Sequence, residues 1–125
     1  MKININDQSL REKIHALSLG DSSMEKDLSV LYYKSIQEIR DKYTEGIVSM
    51  DLNLIRFISH KYQSTFHTLH LTELADEISH GKHLVVSREN SEQLIRQSMV
   101  KVKTLCDQTL AQLRHTYPWL KKGVR

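Results

Sequence analysis

The side chain best suited to chemistry in this chain is His60, which we expect on the outer face of an amphipathic helix. Core positions of that helix are predicted, at alternating steps of three and four residues, at Leu52, Ile55, Ser59, Tyr62, Phe66 and Leu69. Because successive helical residues are about 100° apart, His60 lies one step off this stripe and should reach solvent beside Phe57, Gln63 and Ser64. A solvent-facing imidazole on a rigid helix can attack an electrophile.

The elements that must position His60 are predicted to be helices throughout, because the chain has one proline, four scattered glycines and no sustained strand pattern. We expect an all-α fold, an antiparallel four-helix bundle with a short N-terminal lid helix.

Five helices are predicted from their caps and stop signals. The lid helix runs from Asn6 or Asp7 to Gly20, and the second helix runs from the capping box Ser22 and Glu25 to Gly46. The third runs from Ser49 or Asp51 to Leu69 or His70, the fourth from its cap Thr72 to Gly81, and a long last helix from about Asn90 to His115, before Pro118. Residues 82–86 are predicted as a connecting loop, with a brief extended stretch or a turn left open. Gly20, Gly46 and Gly81 are each expected to end a helix.

Composition limits the classes of function. A length of 125 residues fits one domain, residues 1–125, and leaves no room for a separate nucleotide-binding domain. The 18 basic and 15 acidic residues are mixed along the chain, which disfavours a nucleic-acid partner. There is no apolar run that could insert in a membrane and no signal-peptide pattern. The single cysteine, Cys106, fits a reducing compartment, and we expect a cytoplasmic protein with this thiol buried.

The residues after His60 resemble the histidine-containing phosphotransfer domain of two-component phosphorelays. The motif of that family reads roughly His-x-x-Lys-Gly, then Leu-Gly, then a leucine a few residues later. Without any gap, His60 lies on the phosphorylated histidine, Leu69 on the leucine of Leu-Gly and Leu74 on the later leucine. The resemblance is most specific over residues 51–78.

Three positions depart from the family motif. Gln63 stands where lysine is usual, Ser64 where glycine is usual, and His70 where the second glycine is usual. Gln63 can donate a neutral amide hydrogen bond to a phosphoryl oxygen, but charge-assisted bonds are about twice as strong. We therefore predict Gln63 and Arg56, one turn before His60, as the phosphoryl-stabilising side chains. Ser64 keeps most of the space a partner needs, and His70 is expected to take a left-handed turn conformation.

The resemblance implies a phosphorelay intermediate. Its histidine would accept a phosphoryl group from the aspartate of one receiver domain and pass it to another receiver. Such a protein is a monomeric phosphocarrier rather than a stand-alone enzyme and needs no cofactor. Its partners are response-regulator receivers, with a hybrid sensor kinase left open as a further partner. His67 is predicted on the docking face. Phe57 is predicted either to belong to that face or to be buried against the lid helix.

Three other readings compete. A bundle of the same ancestry could bind a receiver or another regulator without accepting phosphate, which the departures at positions 63, 64 and 70 would suit. Ser59 followed by His60 is also similar to the acceptor helix of a sensor kinase, which forms its bundle from two chains. A purely structural bundle is the third. A metal site is not predicted, because the two histidine pairs, at positions 67 and 70 and at positions 80 and 83, lack acidic or cysteine companions at the fixed spacing that would complete a structural site.

Overall fold

The computed structural model of the chain describes residues 3–87 and 91–121, and the side chains within those ranges from residue 10 onward. Every regular element in those ranges is helical. The elements are α1 (Ile3–Ser18), α2 (Ser22–Val48), α3 (Leu52–Lys61), α4 (Gln63–Thr68), α5 (Thr72–Val86), α6 (Glu92–Thr116) and a 3₁₀ turn (Pro118–Lys121). The prediction of an all-α fold is confirmed.

The two longest helices, α2 and α6, pack against each other and carry the centre of the core. The α3 helix packs on α2 and α5, α5 packs on α6, and α1 packs on both α2 and α6. Apolar side chains at helical spacing bring these helices together, since their burial is the main stabilising term in such a fold. The largest fully buried side chains include Ile36, Ile39 and Tyr43 of α2, Ile55 and Ile58 of α3, Ile78 of α5, and Val102 and Leu113 of α6.

Two of the predicted helix caps are wrong. The Asp21 carboxylate, not the Ser22 side chain, accepts a hydrogen bond from the Met24 amide at 3.1 Å and opens α2. Thr72 is already the first residue of α5, and Leu71 at the cap position makes no side-chain capping bond. Asp51 does cap α3, where its carboxylate accepts the Leu54 amide at 3.1 Å.

The first and last helices begin and end close to the predicted positions. The α1 helix begins at Ile3, before the predicted Asn6 or Asp7. The α6 helix begins at Glu92, and Ser91 caps it by accepting the Leu94 amide at 3.2 Å. Asn90, the predicted start, lies outside the described residues. The α6 helix ends one residue after the predicted His115.

Two glycines that we expect to end helices lie inside them instead. The α2 helix runs past Gly46 to Val48, and α5 runs past Gly81 to Val86, so the predicted loop at 82–86 is wrong. Both glycines allow a close approach: a Cβ at Gly46 would lie 2.9 Å from Cγ1 of Ile55, and one at Gly81 would overlap the hydroxyl of Tyr43. Gly20, with φ of 83°, does adopt the left-handed conformation that follows a helix.

The predicted third helix is divided at Tyr62 into α3 and α4. Its backbone hydrogen bonds nevertheless continue across the division, because the Tyr62 amide donates to Ile58 at 3.0 Å and the Phe66 amide donates to Tyr62 at 3.0 Å. The two short helices therefore follow one another as parts of one arm. Among the described helices, none is long and apolar enough to cross a membrane.

Candidate functional site

His60 lies in the last turn of α3 with its side chain exposed. The buried side of the same helix carries Ile55 and Ile58, each with 0% of its surface exposed. Ile58 was missed as a core residue; Ser59, predicted there instead, is only partly buried. The buried face of α3 is therefore rotated from the predicted position toward Ile58. The imidazole of His60 lies outside the core.

An open groove of about 850 Å³ surrounds His60, and we call it the His60 groove. One wall belongs to α3 and α4 and consists of Arg56, Ser59, His60, Gln63, Ser64 and His67. The facing wall belongs to α5 and consists of Thr72, Ala75 and Lys82. The buried ring of Phe66 also lines the groove. The groove is therefore built between the two arms of a helix hairpin.

The sequence-predicted site residues mostly meet in this groove. Arg56, Gln63, Ser64 and His67 all line it together with His60. This follows from helix geometry, because positions four before, three, four and seven after a residue lie on one side of a helix. The part of the site that lies on one arm was thus accessible from the sequence.

Phe57 is the predicted site residue that is not among the described lining of the groove. Its side chain is 50% exposed, which contradicts burial against the lid helix. The ammonium group of Lys61 lies 5.5 Å from the centre of the Phe57 ring and 3.0 Å from a carboxylate oxygen of Glu38 on α2. The ammonium group of Lys61 therefore interacts with Phe57 and Glu38, although Lys61 directly follows His60 in the sequence.

Lys82 is the functional candidate that sequence reasoning missed. It is partly buried in the α5 wall of the groove, on the same side of that helix as Thr72 and Ala75. One hint was present in the sequence: Leu71 lies midway between His60 and Lys82, so a helix hairpin that turned there would bring the two residues to the same side of the bundle. The signal was lost because the predicted helix ended at Gly81.

The charge of the groove is of one sign. Among the described residues that line it, the ionisable side chains are Arg56, His60, His67 and Lys82, and none is acidic. Within the described ranges, His60 and these three neighbours form no hydrogen bond or ion pair through their side chains. Unpaired basic groups around an exposed imidazole favour a negatively charged ligand or group.

His70 closes the arm that carries the site. Its φ of 54° is the left-handed conformation expected at this turn, where the related motif has glycine. The Leu71 amide donates to the Phe66 carbonyl at 2.8 Å and completes the helix end. Histidine can adopt this backbone conformation. The chain therefore still reverses direction at position 70, and α5 returns beside α3.

A second, smaller pocket of about 160 Å³ lies between the 69–71 turn and α6. Its described lining includes Leu10, Leu69 and Leu105, with Glu73 as the charged residue. Its described lining includes His70 and the hydroxyl-bearing Thr72, both exposed, but no lysine or arginine. Within the described parts of the chain, no three or more histidine, cysteine or acidic side chains are grouped as metal ligands.

The fold and site together define an all-helical protein with an exposed histidine in a basic groove. Comparisons with known protein families, with curated proteins and with solved structures each find no match to this chain.

Proposed function

We propose that the protein is a phosphorelay intermediate that accepts a phosphoryl group on His60 from a receiver-domain aspartate and passes it to a second receiver. The observation that carries the proposal is the exposed imidazole of His60, which pairs with no described side chain, in a groove whose described charges are all basic. The resemblance of residues 51–78 to histidine-containing phosphotransfer domains supports the same reading. In this proposal α2, α3 with α4, α5 and α6 are the four helices of the bundle, and α1 is its lid.

The main contribution of this chain to the transfer would be to hold the imidazole of His60 in the correct position. A ring nitrogen of neutral His60 has a lone pair, which attacks the phosphorus as the phosphorus–oxygen bond to the aspartate breaks. The aspartate leaves as a carboxylate with the electrons of that bond, and the second ring nitrogen holds the proton. Phosphoryl transfer depends mainly on alignment and on neutralising charge on the phosphoryl oxygens. The receiver would bring its own metal ion and lysine to the shared site.

The groove has room for such a partner. Ser64 and Ala75 are small, so the backbone of an approaching domain can come near the imidazole. An open volume of about 850 Å³ is within the range that accommodates a ligand or an inserted group. The proposal has the protein act as a monomer in the cytoplasm, with receiver domains as its partners.

Incubation with phosphorylated receiver domains tests this function. We expect the chain to acquire phosphate that is labile in acid and stable in base, as phosphohistidine is. His60→Gln should abolish labelling, whereas His83→Gln, the same change at an exposed histidine outside the described lining of the groove, should retain it. Label persisting in the His60 variant would show that another histidine is the acceptor.

The adaptor reading gives a different result in the same experiment. A chain that only docks regulators would bind a receiver, detected by calorimetry, and would remain unlabelled with each of several phosphorylated receivers. That outcome would overturn the phosphotransfer proposal and favour the adaptor, because the departures at Gln63, Ser64 and His70 would then reflect loss of the chemistry.

A further inference from the structure

The cations of the His60 groove lack the carboxylate partners that several other cations have among the described residues. Lys61 has a carboxylate oxygen of Glu38 at 3.0 Å, and Arg40 has one of Asp107 at 2.9 Å. Lys101 lies 3.7 Å from Glu77. In contrast, Arg56 and Lys82 pair with no described carboxylate. A cation that no described carboxylate neutralises, in the same groove as the proposed phosphate acceptor, is available to neutralise the charge of a bound phosphoryl group.

Lys82 is better placed than Arg56 to reach a group on His60. Helical side chains lean toward the N-terminus of their helix, so His60 leans toward Arg56 while Arg56 leans further away. Lys82 instead lines the opposite wall of the groove, on α5. Lys82 is partly buried, and long cationic side chains commonly bury their stems while the charged end stays at the surface.

Gln63 leaves a need for such a cation. It is exposed on the same side of the arm as His60 but carries no charge. A phosphoryl group on an imidazole has oxygens that carry about two negative charges, and a neutral amide stabilises these less than an ammonium group does. Positive charge for the phosphoryl group must therefore be supplied by residues other than Gln63.

We propose that Lys82 of α5 is the residue that binds the phosphoryl oxygens on His60, supplying from the opposite wall of the groove the positive charge that Gln63 does not. This inference rests on the proposed phosphorylation of His60 and assigns a further residue to that site. Lys82 forms no covalent bond in the step. Its ammonium group donates hydrogen bonds to the phosphoryl oxygens and stabilises both the transfer and the phosphohistidine.

The test uses phosphoramidate, a small phosphate donor that needs no receiver. The ring nitrogen of His60 attacks its phosphorus, the phosphorus–nitrogen bond breaks, and the protonated nitrogen leaves as ammonia. We expect Lys82→Gln to lower the labelling rate and the half-life of the phosphohistidine by about tenfold, the difference between a charge-assisted and a neutral hydrogen bond. Adding Gln63→Lys to this variant should restore both values, because it places an ammonium group one turn from His60.

Two matched controls separate Lys82 from a general effect of charge. Lys61→Gln makes the same chemical change next to His60, but at a lysine held by Glu38, and should change labelling less than twofold. Arg56→Gln should have a smaller effect than Lys82→Gln. Circular dichroism of each variant checks that the helices are retained, and rescue by Gln63→Lys is itself a result that a misfolded chain would not give.

The outcomes distinguish this inference from the proposed function. If the wild-type chain and Lys82→Gln are labelled at His60 equally fast and keep the phosphate equally long, Lys82 has no such role, although His60 is still the acceptor. A larger loss in Arg56→Gln would assign the role to Arg56 instead. If neither phosphoramidate nor a phosphorylated receiver labels the wild-type chain, the function itself is wrong.

Discussion

The hydroxyl of Tyr43 on α2 lies 2.5 Å from the hydroxyl of Ser98 on α6, in a buried contact between residues 55 positions apart. Ser98 donates its own proton to Glu77 on α5 at 2.8 Å, so Tyr43 is the donor to Ser98. Burial raises the pKa of Tyr43 to about 12, which keeps this proton in place at neutral pH. Three helices are thereby joined by one chain of hydrogen bonds.

Removing the Tyr43 hydroxyl tests what this contact contributes. We expect Tyr43→Phe to lower the free energy of unfolding by about 1 kcal/mol, because one buried hydrogen bond is lost while Ser98 still donates to Glu77. Urea unfolding measures the change. Tyr32→Phe, on the same helix but partly exposed, is the control and should cost less than about 0.5 kcal/mol. Equal losses in the two variants would contradict a special role for the buried contact.

Gly81 is required by the same tyrosine. Alanine normally favours a helix over glycine by about 1 kcal/mol, but the methyl group of Gly81→Ala would overlap the Tyr43 hydroxyl. We therefore expect destabilisation by about 1–3 kcal/mol in urea unfolding. The penalty should be smaller in a Tyr43→Phe background, where the nearest atom is gone. Ser79→Ala, exposed on the same helix, should be neutral, and a stabilised Gly81 variant would disprove the close approach.

Two neighbouring residues test the rotation of α3 about its axis, which places His60 on the outer face of the helix. Ile58 is fully buried, and its replacement by alanine should cost about 2–5 kcal/mol. Phe57 is half exposed, and its replacement by alanine should cost less than about 1 kcal/mol despite the larger side chain. Thermal or urea unfolding gives both values. If the order of the two were reversed, the helix would be turned differently and His60 would not face the groove.

Glu25 predicts a pH dependence of stability. Hydrogen bonds from the His15 ring and from the Tyr117 hydroxyl, 2.9 and 2.7 Å away, lower its pKa from the ordinary value of 4.5. Because the folded pKa is the lower one, the stabilisation is present above pH 4.5 and is lost as the pH falls through the folded value. Glu25→Gln should cost about 1–2 kcal/mol at pH 7 and flatten this loss in acid.

Urea unfolding between pH 7 and pH 3 checks this prediction for Glu25. Glu45→Gln, an exposed carboxylate on the same helix, is the control and should follow the wild-type curve. If Glu25→Gln kept the full acid dependence of the wild-type protein, the contact between α1, α2 and the segment after α6 would not be its source.

Glycine should be more stabilising than histidine at position 70. Its φ of 54° lies in the left-handed region, where a side chain is strained and glycine is not. We expect His70→Gly to raise the free energy of unfolding by up to about 1 kcal/mol and His70→Val to lower it by about 1–2 kcal/mol. Thermal unfolding decides between this and a stabilising role of the imidazole, in which case both substitutions would destabilise.

Much of the helical pattern was accessible from local sequence, but the helix ends were less so. The rule that glycine ends a helix holds at Gly20, which needs a positive φ. It fails at Gly46 and Gly81, which are required because Ile55 and Tyr43 approach from other helices. A close approach between helices leaves no signature in the residues next to the glycine, so the predicted helices ended early and Lys82 was placed in a loop.

The sequence by itself determined which side of the arm carries His60, together with Arg56, Gln63 and Ser64. Helical phase depends only on spacing along the chain, and 3.6 residues per turn fixes it. The tertiary structure alone decided that Lys82 lies across the groove from His60. That proximity depends on the turn at His70 and on α5 packing back along its whole length, which are contacts between residues distant in sequence.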